Sequence, residues 1–263
     1  MSQATVTILG CGNSTGVPAI GNYWGDCDPH EPKNNRTRTS MALEQGGKII
    51  VIDTGPDFRQ QINRENIPRV DAVLFSHQHS DHVNGIDELR VIRHRNKMDF
   101  VPCYGNQVTM DDLQTRFHYI FKGGNHELYP PLVKPHIIDA QNLGQPHNVE
   151  GIAFIPFEQD HGTCKTLGYR FGDFAYSVDI LTLDQTAIDT LRGVKTWVVD
   201  AAAYHQEENA VHANLQTIYD LNAQIGAEQV ILTSLSLSMD YQTLLKELPA
   251  GYAPAYDGMK IHL

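Results

Sequence analysis

Directly after the apolar run Val70–Phe75 (V-D-A-V-L-F), the chain reads Ser76-His77-Gln78-His79-Ser80-Asp81-His82. Three imidazoles and a carboxylate crowded behind a buried-looking strand constrain the fold more than any other feature. In extended chain, side chains alternate with a period of two, which puts His77, His79 and Asp81 on one side. His82 then opens the bend toward the next helix. Imidazole nitrogen and carboxylate oxygen are the donors that zinc and similar divalent ions take from proteins, and a strand end holds them more rigidly than free coil. A merely solvated polar turn has no need of this mixed donor set.

The rest of the composition allows a core around such a site. Of 263 residues, 41% are hydrophobic and 19% charged, which argues against bulk disorder. No repeat, low-complexity block or Pro/Ser-rich linker divides the chain, so one domain over 1–263 is expected. Mean hydropathy is −0.33, and no apolar run approaches the ~18 residues of a membrane helix. The start, Met1-Ser2-Gln3-Ala4-Thr5-Val6, lacks a basic region followed by an apolar stretch, so no secretory signal is expected and a cytoplasmic location is. Cys11, Cys27, Cys103 and Cys164 are widely spaced with no C-x-x-C, which supports neither a disulfide framework nor a zinc ribbon.

Charge narrows the partners. Twenty Lys+Arg against 31 Asp+Glu give −11, which repels long duplex nucleic acid. A small anionic substrate is compatible, because a bound dication reverses the local field. No membrane partner is expected, and homodimer formation is left open.

Strands are expected at Thr5–Gly10, Lys48–Asp53, Val70–Phe75, Phe100–Tyr104, Ile152–Phe157, Leu167–Phe171, Phe174–Val178, Thr196–Asp200 and Gln229–Thr233. Helices are expected at Pro56–Glu65, Asn84–Arg95, Gln107–Tyr119, Asp184–Arg192 and Ala213–Ile225. The stretch from Lys122 to Pro135 reads as a loop long enough to be a lid or rim. Strands clustered in each half with helices between them suggest two packed sheets with helices outside.

The H-x-H-x-D-H run behind V-D-A-V-L-F-S resembles the signature of the metallo-β-lactamase-fold hydrolases. Leu9–Pro18 (L-G-C-G-N-S-T-G-V-P), Ile52–Asp57 (I-D-T-G-P-D) and Tyr256-Asp257-Gly258 resemble the branch that contains the phosphoribosyl 1,2-cyclic phosphate phosphodiesterase. More distant relatives are the tRNA 3′-processing nucleases. The resemblance implies an α/β (α+β) fold, a four-layer αββα sandwich with metals at one edge of the sheets. It implies a first metal on His77, His79 and His161, and a second on Asp81, His82 and Asp179, with Asp179 bridging the two. One or two ions per chain, zinc or manganese, would suit that donor set.

The chain departs from this pattern in two places. Where the family usually supplies a last histidine after a late strand, this chain has Leu232-Thr233-Ser234-Leu235. A neutral hydroxyl is a poor ligand beside imidazole, so a weaker second site is expected. Cys27 lacks the partner thiols that hold a structural zinc in the phosphodiesterase, and none is expected here.

The resemblance implies hydrolysis of a small cyclic or nucleotide-like phosphodiester by a metal-activated water. Asp81 would orient that water, and His212, ahead of the helix His212-Ala213-Asn214-Leu215, would protonate the leaving oxygen. Arg36 and Arg38 (N-R-T-R-T-S) are expected on a solvated basic turn, although guanidinium forks can hold phosphate. Three alternatives stand beside this reading. They are a tRNA 3′-processing nuclease, a thioester or lactam hydrolase of the same fold, and a metal-binding protein without turnover because of Ser234.

Overall fold

A computed structural model of the protein describes residues 4–124 and 129–263. Along Lys48–Ile52 the side chains alternate between two cores, Ile50 and Ile52 entering one and Ile49 and Val51 the other. That is the period-two signature of a strand buried on both faces. The strands in chain order are β1 (Ala4–Gly10), β2 (Ser40–Gln45), β3 (Lys48–Ile52), β4 (Ala72–Leu74), β5 (Val101–Gly105) and β6 (Val133–Ile137). There follow β7 (His147–Val149), β8 (Ile152–Asp160), β9 (Lys165–Phe171), β10 (Phe174–Ser177), β11 (Thr196–Asp200), β12 (Gln229–Thr233), β13 (Tyr252–Pro254) and β14 (Lys260–His262).

Among the described residues they form two sheets, ordered β14-β1-β2-β3-β4-β5-β6 and β13-β12-β11-β10-β9-β8-β7. Each is mixed: β3 to β6 run parallel in the first, and β10 to β13 run parallel in the second. The inner faces share one core, with Ile8, Met41 and Leu74 in the same cluster as Phe157, Tyr169 and Val198.

Helices cover both outer faces. On the first sheet lie α1 (Phe58–Arg64), the single turn α2 (Ser80–Val83), α3 (Leu89–Arg95), α4 (Gln107–Arg116) and α5 (His118–Lys122), burying Phe58, Ile62, Leu89, Ile92, Met110 and Leu113. On the second lie α6 (Gln185–Leu191), α7 (Leu215–Ile225) and α8 (Tyr241–Glu247), burying Leu191, Ile218 and Leu244. The result is the expected αββα sandwich. Asn106, Asp184, Asn214 and Asp240 each accept a bond from a backbone N–H three residues on, so α4, α6, α7 and α8 start where their caps stand.

Several expected elements change. The helix expected over Gln107–Tyr119 breaks at Phe117 into two. That expected over Asn84–Arg95 begins as a 3₁₀ turn, Ile86–Glu88. The stretch expected as a long loop ends in β6, while residues 125–128 within it lie outside the described residues. The strands β2, β6, β7, β13 and β14 and the helix α8 are additions to the sequence expectation; β2 and β6 show the reason. They are held by their neighbours in the sheet, and tertiary pairing overrides weak local preference.

Candidate metal centre

Most of the candidate site is built at the carboxyl ends of parallel strands from both sheets. Asp53 follows β3, His77 to His82 follow β4, Asp179 follows β10, Asp200 ends β11 and Ser234 follows β12. Asp53, Asp179 and Ser234 have φ of 64°, 50° and 54°. A left-handed turn costs a non-glycine residue roughly 1–2 kcal/mol. Such turns carry the chain sharply off the strand ends, and at Asp179 and Asp53 they bring the carboxylates to the histidines. Across that space the sheets are stitched together, Tyr169 OH donating to Phe75 O at 2.7 Å and Leu167 N to Ser76 O at 2.9 Å.

His77, His79, His161 and Asp179 each bring a ligand atom within 4.8 Å of the others, and so do Asp81, His82 and Asp179. Asp179 is common to both groups. Its Oδ2 lies 3.5 Å from His77 Nε2, 3.4 Å from His161 Nε2 and 3.4 Å from His82 Nε2. Asp81 corrects the extended-chain reading. Residues 80–83 close a helical turn, with His82 N bonded to His79 O at 3.0 Å, so Asp81 leaves the row of His77 and His79. It stands instead beside His82, with Oδ2 3.3 Å from Nε2. Gly55 and Gly162 allow this crowding. A Cβ on Gly55 would meet Asp81 O at 2.1 Å, and one on Gly162 would meet Ala210 O at 2.0 Å.

The far nitrogen of three of the rings is fixed. His161 Nδ1 donates to Val211 O at 2.7 Å, and His82 Nδ1 to Asp53 Oδ2 at 2.7 Å. Ser76 Oγ gives its own proton to Asp53 Oδ2, so it accepts from His77 Nδ1 at 3.0 Å. Each ring therefore turns Nε2 toward Asp179, the arrangement that orients metal-binding imidazoles.

Two observations fit a divalent cation. His77 Nε2 is buried without a hydrogen-bond partner, a costly state for a polar atom that a metal would relieve. Burial above all, and then His82, hold the His77 imidazole well below its ordinary range, in the neutral form that ligates. The second is His82, which sits among the carboxylates of Asp53, Asp81 and Asp179. Burial opposes a charge there, but Asp179, Asp53 and Asp81 outweigh it and push His82 well above its usual range. The same field holds Asp179 well below the usual carboxylate range, with burial overcome by His82, His77 and His212. The pocket demands positive charge, as a proton or as a metal.

His212 lies beside this cluster, its ring centroid 5.1 Å from that of His161. Asp179, Asp200 and His212 form a third compact group. The His212 Nδ1 donates to Asp200 Oδ2 at 2.6 Å, while Asp200 Oδ1 accepts from Ala202 N at 2.7 Å. Burial lowers the affinity of the ring for a proton, but the buried Asp200 outweighs it and pushes His212 up to about 9.

Sequence reasoning missed Asp53 and Asp200 as site residues. The signal available was a carboxylate closing an apolar strand, in K-I-I-V-I-D and T-W-V-V-D. Ser234 is buried, with Oγ 3.1 Å from Thr39 Oγ1, which itself donates to Gly12 O. The proton of Ser234 therefore points to Thr39, and among the described residues no donor reaches its lone pairs.

The solvated turn expected for Arg36 and Arg38 is corrected at Arg36. That side chain is buried and donates to Asn34 Oδ1 at 2.8 Å and Met239 O at 2.7 Å. Arg38 is partly exposed and pairs with Asp57 at 3.0 Å. Asp257 is also a brace: it accepts from Cys11 N at 3.0 Å and Thr37 N at 2.8 Å.

Two mixed sheets between helices, with a shared His/Asp cluster at the strand ends, define a metal-dependent hydrolase fold that implies divalent metal binding. The chain belongs to the β-lactamase superfamily, residues 48–233 matching the family described as "Beta-lactamase superfamily domain", and within it to the PhnP branch. The crystal structure of "a New Diphosphatase from the PhnP Family" superposes with a TM-score of 0.87 at 32% identity, over 99% of this chain and 97% of that one. A protein named octanoyltransferase, from Porphyromonas gingivalis, is 32% identical over 259 residues, 96% of this chain. The chain spans about half the length of that relative, 50%. Human short-form tRNase Z shares the fold, with a TM-score of 0.69 at 15% identity and 98% of both chains covered.

Proposed function

We propose that the protein hydrolyses a small phosphodiester, cyclic or nucleotide-like. The observation that carries this reading is His212, an imidazole whose Nδ1 donates to the buried Asp200 carboxylate beside the candidate metal ligands. An alkoxide leaving from phosphorus needs a proton as its charge develops, and a group titrating near 9 keeps one at neutral pH. Hydrolysis of a thioester by the same ligand set has no need of it, because a thiolate leaves unprotonated.

In this reading His77, His79, His161 and Asp179 would hold one ion, and Asp81, His82 and Asp179 a second. Zinc or manganese there would acidify the attacking water and neutralise phosphoryl oxygens. Asp81 accepts a hydrogen bond from that water and so orients it. Asp53, through Ser76 and His82, keeps the rings aimed. His212 delivers its proton to the departing oxygen while Asp200 stabilises and positions the ring.

A second reading, cleavage of a diphosphate linkage, is favoured by the description of the 32%-identical crystal structure as a diphosphatase. A large RNA substrate is disfavoured by the net charge of −11, as are a long duplex and a membrane surface. A cytoplasmic setting is consistent with this chemistry, and no described helix is long and apolar enough to cross a membrane.

The test is a metal-counted hydrolysis panel of bis(p-nitrophenyl) phosphate, a ribose cyclic phosphate, a nucleoside diphosphate sugar and a thioester. Turnover of the phosphodiesters is the expected result. Turnover of the diphosphate alone supports the second reading, turnover of the thioester alone overturns both, and bound metal with no turnover points to a non-enzyme.

A further inference from the structure

A chain of net charge −11 concentrates positive charge on one helix. From Arg90 to Lys97 the sequence is R-V-I-R-H-R-N-K, with four of the 20 Lys+Arg in eight residues and no acid among them. The helix, α3, rests on the outer face of the first sheet through Leu89 and Ile92. Between α3, α5 and the chain before β6 opens a cavity of about 330 Å³. Arg90, Arg93, His94, Tyr119, Tyr129 and Leu132 are among the residues that line it. None of these residues belongs to the metal cluster.

The groups around the cavity are not consumed by the fold. Arg93 Nε donates to Asp99 O at 2.8 Å, and its two terminal amino groups have no partner among the described residues. Among the described residues Arg90 pairs with the exposed Asp87, at 3.0 Å, a surface contact of little energetic weight. Tyr119 and Tyr129 are 47% and 59% exposed. Guanidinium forks match phosphate oxygens, and an exposed aromatic face takes a flat ring by stacking. Both features in one cavity select a ligand with both chemistries, and the volume suits one small molecule rather than a polymer.

The geometry points to a second ligand site on this face, separate from the metals, that binds a nucleoside phosphate with its phosphate on Arg90 and Arg93 and its base against Tyr119 and Tyr129. This site does not depend on the phosphodiesterase reading, because no catalytic group takes part in it.

Isothermal titration with AMP, adenosine and inorganic phosphate tests it on the metal-loaded protein, on His77→Ala, on Arg90→Ala/Arg93→Ala and on Tyr119→Ala, each checked for fold by circular dichroism. AMP should bind the His77→Ala protein, where capture at the metals is disabled. The double arginine variant should weaken that binding roughly 10–100-fold, the scale for losing charged hydrogen bonds. Tyr119→Ala should weaken AMP but not inorganic phosphate. The inference is overturned if AMP fails to bind His77→Ala, or if the arginine variants bind it as the parent does. It is equally overturned if phosphate binds as tightly as AMP and Tyr119→Ala changes neither.

Discussion

His212 Nδ1 lies 2.6 Å from Oδ2 of Asp200, a carboxylate with no solvent exposure that is 12 residues away in sequence and at the end of β11. The pair places a proton donor next to Asp179, with the ring outside the group of His77, His79, His161 and Asp179 and the group of Asp81, His82 and Asp179. His212→Ala should therefore keep its metal and lose activity by ~10²–10⁴-fold, the usual scale for a general acid. The loss should be nearly full for an alkoxide leaving group and much smaller for p-nitrophenolate, which departs unprotonated. Rates on both substrates across pH check this, and an equal loss on both would make His212 a phosphate-binding group instead.

The same pair makes stability depend on pH. His212 titrates at about 9 in the fold, above the ~6.5 of an unfolded chain. Its contribution is fully present below about pH 6.5 and is lost as pH rises through about 9. Urea unfolding of the metal-free protein should show wild type losing more stability than His212→Ala between those values. Parallel losses would mean that the ion pair contributes nothing.

His77→Ala and His79→Ala should each remove bound metal along with activity, since both belong to the group around Asp179. Metal analysis of folded variants checks the assignment, and full metal content in either refutes it. Chelation should also lower the melting temperature of wild type, because a ligand bound only by the native state stabilises it by mass action, about 2.7 kcal/mol at a hundred times Kd.

Ser234→His should strengthen the group of Asp81, His82 and Asp179. Ser234 already takes the left-handed turn that Asp53 and Asp179 use to face the site, and imidazole is the better ligand. Calorimetric titration of the metal-free variant should show a second tight event absent in wild type. An unchanged isotherm would place Ser234 away from the ions.

Arg36→Ala should cost about 2–4 kcal/mol in urea unfolding, because it empties a buried space and strands the acceptor Met239 O, while Asn34 Oδ1 keeps its bond from Tyr241 N. Metal content should survive. A cost below 1 kcal/mol would mean that water replaces the guanidinium freely.

The local pattern of the chain was enough to reveal much of the sandwich. Thr196–Asp200 and Gln229–Thr233 occupy the spans read from alternation and β-branched content, and β3 ends one residue short of its expected limit. His77, His79, Asp81 and His82 were visible as a group because they are neighbours in sequence, and His161 and Asp179 were named through family resemblance. The structure brings all six together, as distances that the sequence could not contain.

What only the tertiary structure decided is the environment of those residues. Asp81 belongs with His82 because residues 80–83 close a helical turn, and the same letters in extended chain would have pointed it elsewhere. Asp53 reaches His82 across 29 positions, and Arg36 finds Met239 across 203. Local periodicity records which face of an element is apolar, so it dictates strands, helices and their order. A proton affinity, a buried charge or a shared carboxylate depends on atoms that other segments carry into contact, and those contacts exist only once the two sheets have closed on each other.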